Sequence, residues 1–471
     1  MNEKLIQRRK FLKTSARAII GFNLGRTLQS CSGISGENKP NILFIFSDQQ
    51  HWKAAGFMDP FFDTPHLDTF SKESFVFENG FCTTPQCSPS RSSILTGFYP
   101  SKTGVWGNIG AAGGNPLKQM TISHILEQKG YFTGYAGKWH LGDEPKPRIG
   151  WSGGFQIADR GNAADRDPIT TDNGLKLLNL AAKQNKPFAL FFSYIDPHDI
   201  YSFLNHTSSE ELSNIPLSKS WSDETFKNKP SVQKQFMVQD QGKQIWGKDQ
   251  KSWELYRDYY RQKVRLYDNH FGTIIRELKK LGYWENTIVI STSDHGDMDT
   301  FHKLIFKGPF MYEQMVRIPF IIRIPEKLGG ASPKHVSDLN VVNVDFVPTL
   351  LDFCGISPYN CDGISLKPIL TGKRNQQKRD FVISQYYSKQ KWVNPIRMIR
   401  TPDYKFNRYI FHGEELYDLK NDPDELVNLV HHPAYQKIKK QLSDELDIWI
   451  IKNNDPFYSL KPTDRNGNNL I

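Results

Sequence analysis

Three stretches of the chain stay apolar for the length of a strand and then end in an acidic or imidazole side chain. The first is Asn41-Ile42-Leu43-Phe44-Ile45-Phe46-Ser47, closing on Asp48. The second, Phe188-Ala189-Leu190-Phe191-Phe192-Ser193-Tyr194, leads to Asp196-Pro197-His198. The third, Thr287-Ile288-Val289-Ile290, leads to Asp294-His295. Runs without alternation suit strands buried on both faces, as in a sheet covered by helices. Between them the apolar period becomes helical: Thr121 as N-cap before Ile122, Ile125 and Leu126, then 175–182, then a long stretch over 254–278. Strands alternating with helices predict an α/β fold, a large central, mostly parallel sheet sandwiched by helices. Ligands in such folds gather beyond the carboxyl ends of the strands, where these runs place their acids and histidines.

The pattern changes after Leu366-Lys367-Pro368. The polar segment 371–379 reads as a linker, and 381–387, 396–400 and 404–409 predict short strands before a closing helix over 434–451. The expected organisation is a leader at 1–37, a catalytic domain at 38–372 and a small α+β C-terminal domain at 380–471. Residues 201–250 are polar, with Trp221 and Trp246 among them. That is long for an idle connection and predicts a substrate lid.

The N-terminus changes how the charge is read. Gln7-Arg8-Arg9-Lys10-Phe11-Leu12-Lys13 sets paired arginines before an apolar stretch at 18–24, which resembles a bacterial twin-arginine export signal. Leu28-Gln29-Ser30-Cys31 has the form of a degenerate lipoprotein cleavage box, with Cys31 as the lipidated residue. The expectation is an exported protein, periplasmic or held at the cell envelope through a lipid on Cys31. Of the formal net charge of +10, residues 1–30 carry +6, leaving +4. A nucleic-acid partner is therefore not called for. No apolar run in the body of the chain approaches the ~20 residues that span a bilayer. Export permits disulfides; Cys354 and Cys361 are close enough in sequence to pair, and Cys82 is left as a buried free thiol.

The chemistry concentrates in Cys87-Ser88-Pro89-Ser90-Arg91-Ser92-Ser93-Ile94-Leu95-Thr96-Gly97. Ser88-Pro89 opens a helix, because proline suits its first position. Cys87 then sits at the helix N-terminus, where free N–H groups favour an anion. Arg91, four residues on, shares that face and can reach the Cys87 side chain. A Cys-x-Pro alone would be an ordinary thiol at a helix start. At two strand ends, Asp48, Gln49, Asp294 and His295 are either salt-bridged or capping groups, the commoner case for isolated acids, or a set that would surround a divalent cation. Carboxylate and amide oxygens suit Ca²⁺, while an imidazole accepts Mn²⁺ more readily than Mg²⁺.

Taken whole, the eleven residues from Cys87 resemble the signature of the formylglycine-dependent sulfatases of the alkaline-phosphatase-like superfamily. There the cysteine is converted to Cα-formylglycine (3-oxoalanine). Gly137-Lys138-Trp139-His140-Leu141-Gly142 is similar to the family's second signature, and Asp196-Pro197-His198, Ser293-Asp294-His295-Gly296, Lys307, Tyr312-Glu313 and Arg317-Ile318-Pro319-Phe320 match later blocks. Val347-Pro348-Thr349-Leu350-Leu351 and Glu415-Leu416-Tyr417-Asp418-Leu419 are similar to its C-terminal elements, so the resemblance runs from about residue 40 to 430.

The resemblance implies a divalent metal, Ca²⁺ first and Mg²⁺ or Mn²⁺ as alternatives, held by Asp48, Gln49, Cys87, Asp294 and His295. His295 stands where many sulfatases have Asn. The catalytic set it implies is Cys87, Arg91, Lys138, His140, His198 and Lys307. Lys138 and His140, two apart on an extended segment, would contact the aldehyde hydrate and the sulfate, and His198 and Lys307 the ester oxygen. His302 stays open between a surface position and a place at the site. One hydroxyl of the hydrate would attack sulfur and expel the alcohol. Deprotonation of the other, by His140, would collapse the adduct and release sulfate, a step a serine could not perform. The implied partners are a sulfated carbohydrate, a sugar of a polysaccharide above all, and a formylglycine-generating maturase. A phosphonate monoester or phosphodiester hydrolase on the same scaffold, and a choline or aryl sulfatase, are the alternatives. An inactive glycan-binding relative conflicts with the complete catalytic set. His51, Trp52 and the 201–250 insertion frame either a carbohydrate pocket or ordinary packing.

Overall fold

The computed structural model describes residues 39–143, 150–157, 161–206, 215–373 and 378–471. The expected leader with Cys31, part of the insertion and part of the linker lie outside the described residues. Ten strands precede the C-terminal region: β1 Asn41–Asp48, β2 Phe75–Phe77, β3 Gly80–Phe81, β4 Phe132–Gly137, β5 Gly154–Ile157, β6 Phe188–Pro197, β7 Thr287–Ser293, β8 Phe320–Arg323, β9 Lys334–Val336 and β10 Val341–Val342. Eight of them form one sheet in the order β5-β4-β6-β1-β7-β8-β2-β9. From β5 to β7 the pairing is parallel, β8 runs antiparallel to both its neighbours, and β9 is parallel to β2.

The apolar runs are the middle of this sheet, and they lack alternation because both faces are covered. In β1, Ile42, Phe44 and Phe46 enter one core and Leu43 and Ile45 another. The first face is closed by helices Cys87–Thr96, Ile122–Gln128 and Phe346–Phe353 through Ile94, Leu126 and Leu350. Phe44 lies between Phe191, stacked at 5.6 Å, and Phe346, edge-on at 5.0 Å. Helices Ala163–Ala182 and Gln250–Lys280 close the second face through Leu177, Leu178, Phe271 and Ile274. Both begin earlier than their apolar period because polar caps start them. Asn162 accepts the Asp165 N–H and Asp249 that of Ser252.

Beyond the linker, β11 Val382–Lys389, β12 Trp392–Arg400, β13 Tyr404–Tyr409 and β14 Glu414–Asp418 form an antiparallel meander, followed by helix Gln436–Lys452. Its Ile383, Met398, Phe406 and Leu416 share one core with Phe236, Tyr256, Tyr260 and Met311 of the larger part. Buried charge crosses the same junction: Lys405 Nζ lies 2.7 Å from both Glu313 and Glu425. Residues 39–471 form one compact unit. The described part of the insertion is a packed wall rather than a loose flap. Its helix Ser231–Gln239 buries Val232, Phe236 and Met237, Trp221 packs edge-on to Trp253, and Trp246 meets Phe226.

The expected disulfide is not formed. Cys354 caps helix Phe346–Phe353 and accepts a hydrogen bond from Tyr131 (3.1 Å), whereas Cys361 lies against Gly97 with its thiol toward the Gly363 carbonyl. Close in sequence, the two are drawn to different neighbours. Cys82 is buried and free, as expected. Among the described residues no helix is long and apolar enough to cross a membrane.

Candidate active site

Strands β4, β6, β1 and β7 are adjacent and parallel, so their carboxyl ends share one edge of the sheet. Ser47 is in register with Ser293, which puts Asp48 beside Asp294. Lys138 follows β4, and His198 follows β6. Gln49 (φ 73°) and His140 (φ 55°) take left-handed backbone, a conformation that costs a non-glycine residue ~1 kcal/mol or more and clusters at functional sites. Lys138 and His140 are thus not on an extended segment, yet both side chains act on Cys87.

Helix Cys87–Thr96 rises from below, all ten residues buried. It starts two residues earlier than expected, with Gln86 as N-cap and Pro89 third rather than first. The missing proline N–H still falls in the first turn, where no carbonyl waits for it. Arg91 turns to the acids rather than to Cys87. Its Nη2 is 2.8 Å from Asp48 Oδ2 and its Nε 2.8 Å from Asp294 Oδ2, while Nη1 donates to the Lys138 carbonyl and Ser193 Oγ, both at 2.6 Å. The guanidinium fork fixes one oxygen of each acid.

The remaining oxygens face Cys87 and His295. Asp48 Oδ1 is 3.6 Å from Cys87 Sγ, and Asp294 Oδ1 accepts the N–H groups of Gln49 and His295. The His295 Nδ1–H donates to the Gly296 carbonyl (2.9 Å), which directs Nε2 at Cys87 Sγ, 3.2 Å away. The ligand atoms of Asp48, Cys87, Asp294 and His295 all lie within 4.8 Å of one another, fully buried. An imidazole anchored through Nδ1, its Nε2 turned to two carboxylates, has the orientation of a metal ligand. The donor set fits a divalent cation. Gln49, the fifth expected ligand, is engaged otherwise: Oε1 accepts from Lys307 Nζ (2.5 Å) and Nε2 donates to Asp297 Oδ2 (2.6 Å). Asp297 in turn accepts from the Tyr256 hydroxyl at 2.9 Å. Asp297 and Tyr256 were absent from the expected set, since only their distance from Gln49 marks them.

Cations dominate the space around the thiol. Lys307 Nζ is 3.1 Å and Lys138 Nζ 3.9 Å from Sγ, and Lys138 also pairs with Asp48 at 2.7 Å. Burial alone would raise the Cys87 pKa, but Lys138, Lys307 and His295 pull it well below the ordinary thiol value. Burial likewise opposes ionisation of Asp48, yet the cations around it hold its carboxyl below the usual range. His198 also acts on Cys87. Burial, with Lys138 and Lys307 alongside, pushes its pKa down to about 3, so it is a neutral imidazole here. Arg91, Lys138 and Lys307 set three fixed positive charges against two carboxylates, which favours an anion at this point. A polar cavity of about 250 Å³ reaches His198 and Lys307; a larger one, about 460 Å³ beside β9, contains none of these residues.

Three expected or open positions lie elsewhere. His51 is buried, stacked on Tyr260 and 3.3 Å from Asp299, and Trp52 is covered by Arg317 at 3.6 Å. Both are packing residues. His302 is neither on the surface nor at the site. Its Nδ1 is 3.1 Å from Glu224 and its ring stacks on Tyr312 at 3.8 Å. Burial outweighs Glu224 and Asp422 and, with Lys229 nearby, lowers its pKa from 6.5 to about 4. The unfolded chain therefore takes up a proton between these values that the folded protein refuses. The contribution is full above pH 6.5 and is lost as pH falls toward 4, roughly 3 kcal/mol in all. His302→Gln should flatten the fall in denaturation midpoint over that range; an unchanged slope would refute the assignment.

Comparison with known proteins agrees with this geometry. Residues 40–356 match the family model Sulfatase, and residues 301–452 match N-sulphoglucosamine sulphohydrolase, C-terminal. The N-acetylglucosamine-6-O-sulfatase of Bacteroides thetaiotaomicron is 29% identical over 91% of this chain and 90% of its own. A solved 2-O GAG sulfatase superposes with a TM-score of 0.81 at 26% identity, covering 90% of this chain and 95% of that one. A structure in complex with its substrate D-glucosamine-2-N,6-O-disulfate gives a TM-score of 0.70 at 25% identity, covering 89% and 99%. The family match spans most of the chain and includes every strand end that carries the site. The chain belongs to the sulfatase family and is a sulfuric ester hydrolase.

Proposed function

We propose that this sulfatase removes O-sulfate from a sugar of a sulfated polysaccharide, acting through the hydrate of an aldehyde made from Cys87. The observation that carries the reading is the convergence of Lys138, Lys307, His198, His140 and His295 on the Cys87 side chain, beside a polar cavity that His198 and Lys307 line. The thiol stands where the hydroxyls of the hydrate would be. Relatives of the chain that act on sulfated sugars support the substrate class. Export of the enzyme through the expected leader fits a polymeric substrate met outside the cytoplasm.

Each side chain then has a task. Lys138 and Lys307 neutralise the sulfate as its negative charge redistributes. His198 offers a hydrogen bond to the bridging oxygen, and His140 takes the proton of the second hydroxyl. Arg91 keeps the two carboxylates aligned, its guanidinium held by them, the Lys138 carbonyl and Ser193. A divalent cation bound by Asp48, Asp294, His295 and the residue at 87, calcium in first place, supplies Lewis acidity toward oxygen.

Mass spectrometry of the peptide around Cys87, from a host containing a maturase, should show the aldehyde in place of the thiol. Activity on a sulfated sugar should rise in proportion to the aldehyde fraction across preparations. A fully active preparation with Cys87 unmodified would exclude the aldehyde.

A further inference from the structure

The cavity that reaches the catalytic edge has two unlike walls. One carries His198 and Lys307, and the other is the end of the β11–β12 hairpin, Ser388 and Lys389 closing β11 and Gln390 in the turn. The turn is fixed from several sides: Gln86 Nε2 donates to the Ser388 carbonyl (2.5 Å), Ser388 Oγ to the Ala112 carbonyl (2.6 Å), and Ala112 N–H to the Gln390 carbonyl (2.9 Å). Among the described residues no carboxylate lines the cavity. Lys389, which the chemistry does not use, runs its ammonium over the Phe236 ring at 4.2 Å to Asp240, 2.5 Å away. Phe236 packs against Gly308, next to Lys307. Two lysines thus line one small space, and the carboxylate that pairs with Lys389, Asp240, is shared with Arg465 at 3.1 Å. The Lys389 side chain is only 15% exposed.

We propose that Lys389 reads a second anionic group, a carboxylate or a further sulfate, on the sugar whose sulfate ester is cleaved. The inference rests on the sulfated-sugar reading and narrows it. At about 250 Å³ the cavity is below the ~300 Å³ at which pockets for drug-sized ligands begin, which suits a single sugar ring. A ring whose ester lies at Lys307 presents its other substituents to the remaining walls, of which the hairpin end is one. A neutral substituent there needs only an amide or hydroxyl, such as Gln390 or Ser388 already offers. An ammonium sharing one carboxylate with Arg465 leaves positive charge uncompensated, and in a desolvated site an anion pairs with it strongly. Burial, with Lys307 and Arg465 nearby, pushes the Lys389 pKa down to about 8; an adjacent anion would offset this. Because the turn is pinned in advance, little ordering opposes binding.

The test uses the full, aldehyde-bearing enzyme with three substrates. Two are monosaccharides with the same scissile sulfate, one of them also bearing a carboxylate or an N-sulfate; the third is nitrophenyl sulfate. Wild type should favour the doubly anionic sugar by tenfold or more in kcat/KM, chiefly through KM. Lys389→Gln should erase that preference, lowering kcat/KM on the doubly anionic sugar at least tenfold more than on the other two. An equal loss on all three would make the Lys389–Asp240 pair a structural tie and overturn the proposal, as would a wild-type preference for the singly charged sugar. Turnover of nitrophenyl sulfate with neither sugar cleaved would instead remove the sulfated-sugar reading, and this inference with it.

Discussion

Asp294→Ala is expected to abolish hydrolysis of every sulfate ester, by ~10³-fold or more, in a protein that still folds. Each factor of ten in rate corresponds to about 1.4 kcal/mol of barrier, and a bound cation contributes several kcal/mol of charge stabilisation. Asp294 supplies one of two carboxylates to the donor set and accepts the N–H groups that shape the Gln49 and His295 turns. Its loss should therefore damage good and poor leaving groups alike. Folding should survive because Arg91 keeps Asp48, the Lys138 carbonyl and Ser193 as partners. Burial and the charge of Asp48 already push the Asp294 pKa up, so removing it also relieves a repulsion. Exhaustive chelation of wild type should reproduce the loss, with restoration on adding back calcium. Full activity in metal-free protein, verified by elemental analysis, would refute the site.

His198→Ala should separate substrates by leaving group. A sugar alkoxide is strongly basic and leaves poorly without a donor at the bridging oxygen, whereas a nitrophenolate leaves easily. A neutral imidazole donates a hydrogen bond rather than a proton; removing such a donor from a developing oxyanion costs ~10²–10³-fold, and nearly all of that should fall on the poor leaving group. The variant is thus expected to lose about two orders of magnitude or more on a sulfated sugar and to keep much of its nitrophenyl sulfate activity. Lys138→Ala should lower both rates together, since Lys138 serves the nucleophile and Asp48. Equal losses in His198→Ala would pass the role to Lys307, the remaining donor beside Cys87. His302 cannot take it, being committed to Glu224.

The middle of the large sheet was legible because strands buried on both faces need no alternation, and β1, β6 and β7 show none. Strand β4 was not, since Thr133, Gly134 and Gly137 dilute its apolar character; the glycines are there for space. A Cβ on Gly137 would meet the Ser193 carbonyl at 1.9 Å. Strands β2, β8 and β9 are only three or four residues long, too short to carry a period. Of the site, the residues at strand ends and in the Cys87 segment could be read from order along the chain. Their contacts could not. Arg91 serves the acids because two strands carry them under its fork, and Gln49 meets Asp297 because both chain ends turn sharply past β1 and β7. Ser388 and Gln86 come together across 302 residues, and no local pattern announces that.

The complete burial of helix Cys87–Thr96 has a consequence for timing. Cys87 has no exposed surface, and neither end of its helix can be drawn out without breaking the core beneath the sheet. On the aldehyde mechanism proposed above, an enzyme that oxidises this cysteine would have to reach it before the helix is buried. Its window would close when the chain folds, and synthesis would supply two populations whose proportions are set by a race rather than an equilibrium. A molecule that folded first would keep its thiol for the rest of its life.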